Sequence, residues 1–348
     1  MEFGLFTVFD NYKKMFNRTP EQFFHEVLEQ TEYADQLGYN SVWFAEHHFS
    51  EYGILTTPQI LLAVAAQRTK NIRLGISIVT LPFKNPIQVA EDYALLDVLS
   101  NGRINLGFGS GYLPHEFAGF NVDPADKALR FNDALAVIEK AWTGEKFSHS
   151  GDYYQFSNIK LEVLPKQKKV PIWIGTLSRR GAEFVAKMGY NIMGVPYVAS
   201  NSLSELKEII DNYKEAYHQA GHDESEINIP LAVHTFVAET REEAERVSKK
   251  HVNLYLDTRQ YGRNATFEDL EKREHLLIGT PEDVINRLRK YQEAGCDHIM
   301  MLMNFGGLPH KEVLKSIEIV AKEVMPAFKN DTIKRKSVVT ENSHIVTS

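Results

Sequence analysis

The stretch VWFAEHHFSEYG, Val42–Gly53, decides how the rest of the chain is read. Four apolar residues, Val42, Trp43, Phe44 and Ala45, stop abruptly at Glu46-His47-His48-Phe49, and a loop then leads to Gly53. An unbroken apolar run is the pattern of a strand buried on both faces, and charge begins where such a strand leaves the core. In a parallel α/β barrel the C-terminal strand ends carry the chemistry, so an acid and two imidazoles at one of them predict a site. The competing reading is structural: Glu46 pairs with a buried arginine, and the histidines fill a polar rim.

Outward from this stretch the same unit repeats. Phe3–Phe9 is an apolar and aromatic run at the start, and Thr19-Pro20 opens a helix whose apolar residues recur every three to four positions up to Gly38. Asn40–Ala45 is then the second strand. Thr57-Pro58 and Asn85-Pro86 open further helices, and Ile72–Leu81, Arg103–Phe108, Val170–Gly175, Asn191–Val195, Ile227–Val237 and Asp297–Met303 read as strands. Eight strands alternating with helices predict the α/β class and a (β/α)8 TIM barrel with insertions at strand ends. An open doubly wound sheet is the alternative. Residues 1–329 are expected to form one domain, interrupted by a hairpin-like insertion at 146–169 and a charged, polar segment at 258–277 that reads as a mobile lid. The polar, aperiodic residues 330–348 read as a disordered tail.

Composition narrows the function. A net charge of −7, with no basic cluster beyond Lys334-Arg335-Lys336, argues against a nucleic-acid partner. The start has no basic segment before its apolar run and no stretch is apolar for about 20 residues, so neither a secretory signal nor a membrane span is expected. The one cysteine, Cys296, excludes an internal disulfide and suits a reducing cytoplasm. No metal is expected: HExxH is absent, and His47, His48, His115, His234 and His298 show no ligand spacing.

Four stretches at strand ends or loops hold candidate chemistry. Glu46-His47-His48 is the first. In the second, Ile76–Pro82, the small polar residues Ser77 and Thr80 interrupt a buried strand around Ile78; ordinary strand alternation explains them equally well. The third is Gly107-Phe108-Gly109-Ser110-Gly111-Tyr112, followed by Glu116, where alternating glycines either admit a flat ligand to the backbone or make a tight turn. It lacks the setting of a dinucleotide fingerprint. The fourth, Gly175-Thr176-Leu177-Ser178-Arg179-Arg180-Gly181, combines hydroxyls, two guanidiniums and a helix start, a phosphate-binding arrangement unless Ser178 merely caps the helix.

Together VWFAEHHFSEYG, LGISIVTLPFKNPIQVAED, LLDVLSNGRINLGFGSGY, PIWIGTLSRRGAEFVAKMG and IGTPEDV resemble the bacterial luciferase-like monooxygenase family, flavin-dependent (β/α)8 barrels, and most strongly the luciferase α chain, over roughly residues 1–328. The resemblance implies reduced FMN (FMNH2) as cofactor, O2 as co-substrate, and a C4a-hydroperoxyflavin that oxygenates a small organic, aldehyde-like substrate. It implies a separate flavin reductase as partner and a homodimer packed through the helices at 57–66 and 87–99. It also implies acid/base work by His47 with Glu46 and Glu116 near the flavin, and a non-prolyl cis peptide at Ser77–Ile78 beneath the flavin ring. Gly109, Ser110, Gly111 and Tyr112 would adjoin the flavin, while Thr176, Leu177, Ser178, Arg179, Arg180 and Gly181 would hold its phosphate. The reactive cysteine and phosphate-binding arginine of luciferase are replaced by Gly109 and Ser110, so Arg179 or Arg180 would supply the phosphate charge and no light emission is expected. The alternatives are an F420-dependent hydride-transfer oxidoreductase, a non-catalytic flavin-binding protein and a metal-dependent hydrolase using His47, His48 and His298. Phe6, Phe9, Phe83, Tyr112 and Tyr197 are expected to line an apolar substrate pocket.

Overall fold

Among the described residues apolar and β-branched runs form eleven strands: β1 (Glu2–Thr7), β2 (Ser41–Phe44), β3 (Arg73–Thr80), β4 (Ile104–Gly109), β5 (Phe147–Ser150), β6 (Gln155–Ile159), β7 (Ile172–Gly175), β8 (Asn191–Met193), β9 (Pro230–Val237), β10 (Leu276–Gly279) and β11 (His298–Asn304). The computed structural model describes residues 1–259 and 265–329. The tail at 330–348 and the centre of the segment read as a lid, 260–264, lie outside the described residues. Nine strands make one parallel sheet in the order β10-β9-β11-β1-β2-β3-β4-β7-β8. Its far edge returns on itself: Gly194, just past β8, bridges Leu231 of β9 in parallel, with Ala232 N–H donating to Gly194 O at 2.9 Å. Eight strands therefore ring a common interior, closed by a bridge rather than a full ladder, and β10 flanks β9 on its other side. This is the parallel α/β architecture of the barrel folds.

Two details differ from the sequence reading. Leu276–Gly279, which straddles the end of the polar segment 258–277, is the strand β10, preceded by a short helix at Phe267–Lys272. Four residues between charged neighbours are too few to reveal a strand by periodicity. Within 146–169, β5 and β6 pair antiparallel, apart from the main sheet.

The helix starts lie where proline and capping residues put them: Pro20–Leu37, Pro58–Arg68 and Pro86–Leu99 each begin on proline. Thr19 Oγ1 accepts from Gln22 N–H at 3.1 Å, satisfying a donor the first turn leaves unpaired. Among the described residues no helix is long and apolar enough to cross a membrane.

Trp43 shows how the interior is filled. Its fully buried ring packs edge-on against Trp173 at 5.3 Å, and its indole N–H donates to Ser41 Oγ at 2.9 Å. The adjacent strands make room with glycines. A Cβ on Gly75, paired with Trp43 across β2 and β3, would lie 2.3 Å from the indole, and one on Gly4 would lie 3.2 Å from it. Gly75→Ala is therefore expected to destabilise the fold by about 1–3 kcal/mol, the usual cost of overpacking a filled core. A urea titration showing an unchanged midpoint would contradict this packing.

Candidate active site

β2 ends at Phe44, and the chain then leaves the sheet, carrying Glu46, His47 and His48 to the C-terminal mouth of the barrel. They are buried at its wall, and with Phe6, Ser77, Ile78, Tyr112, Glu116, Thr176 and Ser178 the first two line a cavity of about 430 Å³. A larger cavity, about 1010 Å³, opens at the opposite mouth among strand beginnings. Its buried charge is already satisfied: Arg73 donates to Asn105 Oδ1, Ile104 O and Gln167 Oε1 at 2.7–2.8 Å. His298 there hydrogen-bonds Ser41 Oγ at 3.0 Å and Asn228 Oδ1 at 3.2 Å. That end is bound up in structure, whereas the smaller cavity gathers the candidate site residues.

The two carboxylates divide their work by position. Glu116, buried on the short helix Pro114–Gly119, accepts His47 Nδ1–H at 3.1 Å and His48 N–H at 2.9 Å through the same oxygen. A carboxylate on Nδ1 fixes the imidazole's orientation and tautomer and leaves Nε2 to exchange a proton. Glu46 does not touch His47. Its Oε1 lies 3.1 Å from both His48 Nε2 and Lys84 Nζ, while its Oε2 is buried with no partner among the described residues. Gly53 fits closely behind His47: a Cβ there would fall 2.6 Å from His47 Cβ and 2.8 Å from Cδ2.

Ser77 and Ile78 form the cavity wall beside β4, and the peptide between them is cis. Of the glycine-rich stretch only Gly111 and Tyr112 line the cavity. Gly109 lies under Ile78, whose Cδ1 would be 2.0 Å from an added Cβ, so its missing side chain makes room for a neighbouring strand and not for a ligand. Ser110 does not line the cavity either.

At the end of β7, Thr176, Leu177 and Ser178 line the cavity, and Ser178 Oγ also caps the helix Arg179–Lys187 by accepting Gly181 N–H at 3.2 Å. Gly181 is confined by Thr176 and Ser178, whose Oγ atoms would lie 2.4 and 2.7 Å from a Cβ. The arginines expected to supply charge are elsewhere: Arg179 pairs with Glu208 on the surface at 2.9 Å, and Arg180 is exposed. Helical geometry turns both side chains outward as the cap turns the backbone N–H groups inward. Phe9, Phe83 and Tyr197 are also outside the cavity lining; Phe9 packs on Phe44, Phe83 stacks on Phe120 and Tyr197 packs on His234 behind the wall.

A residue the sequence reading missed provides the cation. Arg259 follows the helix Arg241–Thr258 directly and lines the cavity, donating from Nη1 to Tyr197 Oη. Tyr52, Tyr112 and Tyr255 surround it. Burial favours its neutral form, but the tyrosine oxygens outweigh that and hold its pKa above the ordinary guanidinium value. Burial likewise raises the four tyrosines, which remain neutral donors. Only its place at the edge of a long polar segment could have marked Arg259 in the sequence.

The profile of the luciferase-like monooxygenase family matches residues 1–298. This chain belongs to that family. It is 30% identical to the 4-hydroxyprotoasukamycin monooxygenase of Streptomyces nodosus subsp. asukaensis over 86% of each chain. It is 26% identical to the oxygenase component of a flavin-dependent trigonelline monooxygenase of Acinetobacter baylyi, over 97% of this chain and 98% of that one. Its fold matches the oxygenating constituent of a 3,6-diketocamphane monooxygenase of Pseudomonas putida, solved with FMN, at TM-score 0.80 and 23% identity, over 94% of this chain and 98% of that one. Family membership makes the protein a flavin-dependent monooxygenase. Among the described residues no three His, Cys, Asp or Glu side chains gather as a metal site.

Proposed function

We propose that the protein is an oxygenase component that takes reduced FMN from a separate reductase and uses O2 to oxygenate a small organic substrate. The observation that carries this reading is the His47–Glu116 pair, set in one cavity with the Ser77–Ile78 wall and the Thr176 and Ser178 hydroxyls. The residues suit FMN. Apolar Phe6, Val8, Ala45 and Ile78 offer a surface for a flat ring, and the orphaned Glu46 Oε2 awaits an N–H donor. The hydroxyls of Thr176 and Ser178 and the first N–H groups of the helix at Arg179 offer an anion site. Reduced FMN would supply the electrons that activate O2.

The protein's part is to hold and protonate. Ser77, Ile78, Gly111 and Tyr112 would bound the ring, and Leu177 with Ser178 would hold the phosphate end. His47 Nε2 moves the proton, Glu116 holds the imidazole, and Glu46 with His48 and Lys84 forms a second polar wall. The cavity's apolar lining limits water, which otherwise competes for reactive intermediates. Residues 1–329 serve as the catalytic domain, at home in the cytoplasm, where its buried free Cys296 stays reduced.

The test is reconstitution. NADH and FMN are expected to be stable with this chain alone, and O2-dependent turnover to begin when a flavin reductase is added. NADH oxidation by the chain alone, or anaerobic hydride transfer from reduced F420, would replace this reading with another.

An exposed apolar face supports a homodimer. Ile60 on the helix Pro58–Arg68 and Leu95, Val98 and Leu99 on the neighbouring Pro86–Leu99 are 65%, 50%, 46% and 47% exposed. Exposed apolar side chains gathered on neighbouring helices are the kind of surface that interfaces cover. The double variant Leu95→Glu with Val98→Glu is expected to elute as a monomer where the parent elutes as a dimer; a monomeric parent in light scattering would refute the assignment.

A further inference from the structure

Among the described residues, the guanidiniums tied most fully into the fold show what saturation looks like. Arg103 donates to Ser100 O, Thr69 Oγ1, Ile72 O and Ala66 O at 2.7–2.9 Å. Arg73 is bound by three acceptors, and Arg18 by Asn11 Oδ1, Asp10 O and Glu26. Arg259 differs from these three, and unlike Arg130 and Arg273, which also carry a buried unpartnered nitrogen, it lines the cavity. Its Nε is buried without a partner, its charge is faced by tyrosine hydroxyls, and no carboxylate pairs with it among the described residues. A buried cation left uncompensated is costly, and an anion placed against it recovers much of that cost.

Its position relative to the proton-handling group is also defined. The Tyr52 ring lies 4.9 Å from His47 and 5.5 Å from Tyr255, with Tyr52 Oη 3.0 Å from Tyr255 Oη. Tyr112 stands edge-on to His47 at 6.1 Å. Tyr52 therefore bridges the space between the imidazole and the pocket of Arg259. The Thr176 and Ser178 hydroxyls, which suit the flavin phosphate, come from a different wall, at the end of β7. The cavity has two anion-seeking places, and FMN has one phosphate.

We propose that Arg259, with Tyr52, Tyr112, Tyr197 and Tyr255, seats a carboxylate carried by the organic substrate, so that the enzyme selects small organic acids. The inference rests on reading this cavity as the oxygenation site and names the substrate class for it. The guanidinium presents two parallel N–H groups to a carboxylate, and the tyrosine hydroxyls can donate to its remaining lone pairs. With the acid group held there, the body of the molecule lies along Tyr52 and Tyr112 and brings its far end toward His47 Nε2. An amide or ester of the same shape would leave the guanidinium without a counter-charge.

Benzoate and benzamide are the probes, titrated calorimetrically into the full chain. Benzoate is expected to bind about 10–100-fold more tightly, the range for a hydrogen-bonded charge against its neutral counterpart. Arg259→Gln should abolish that preference, and Arg259→Lys, which keeps the charge but not the fork, should retain part of it. Equal binding of the two probes to the unaltered chain overturns the proposal, whether or not the variants fold. Titrating FMN against riboflavin covers the other source of an anion. If Arg259→Gln erases the preference for FMN over riboflavin, the arginine serves the flavin phosphate and the proposal fails. If FMN does not bind while an Arg259-dependent benzoate preference remains, the flavin assignment of the cavity fails and the acid site stands.

Discussion

His47→Ala is expected to lower substrate oxygenation by about 10²–10⁴-fold, the range contributed by a positioned acid/base group, while FMN still binds. The reason is local. Glu116 occupies Nδ1 of His47, and Nε2 has no hydrogen bond to any described residue, so the ring is held with one nitrogen open to the cavity it lines. Removing it takes away the proton-transfer atom and leaves Ser77–Ile78, Thr176 and Ser178 in place. Turnover should then divert from product to hydrogen peroxide, because oxygen activated at the flavin is released without transfer. The measurement is product formed per reduced FMN oxidised, beside peroxide released, across a panel of small organic acids. Glu116→Gln separates positioning from protonation: the amide oxygen can still accept both hydrogen bonds, so its loss should be smaller than that of His47→Ala. Product yield unchanged in His47→Ala would remove His47 from the reaction.

How far the sequence foretold this site depends on the kind of signal each residue carried. His47 was legible because four apolar residues set the end of a strand and charge followed at once. The helix starts were legible for the same reason, since Thr-Pro and Asn-Pro report local geometry. The partner of His47 was not legible, because the chain brings Glu116 to it from 69 positions away, and no local pattern encodes that meeting. Gly109 misled: alternating glycines look alike whether they admit a ligand or a neighbouring side chain, and Ile78 is what it admits. Arg179 and Arg180 misled similarly, since their sequence position is right for an anion but their side chains leave the helix on its outer face. Arg259 was hidden in a charged segment without periodicity. Strand β10, in the same segment, was too short to declare itself. Close packing and long-range convergence were the illegible parts; termini of elements were the legible ones.

Lowering the pH from 7 to 5 is expected to cost the folded state about 4–5 kcal/mol. Three histidines are buried in the barrel and held neutral: burial pushes His234 down to about 3, with Arg259 adding to it, and His275 and His298 down to about 4. In the unfolded chain each titrates near 6.5. A depressed histidine binds fewer protons folded than unfolded, so stability falls as pH drops through 6.5 and goes on falling to the folded pKa. At pH 5 each of the three has lost about 2 kcal/mol. Asp10 opposes them. Burial raises its carboxyl to about 6 despite the Gly306 N–H bond, so the folded state takes up that proton first and gains about 1 kcal/mol between pH 7 and 5. The histidines win because there are three of them and their window opens higher. Urea titrations at pH 7 and pH 5 decide the matter: the midpoint should fall clearly at the lower pH, and the fall should shrink in His298→Gln, which cannot take up a proton on unfolding. Equal midpoints at the two pH values would mean that these imidazoles are solvated or paired, and that the interior they line is not the packed one described.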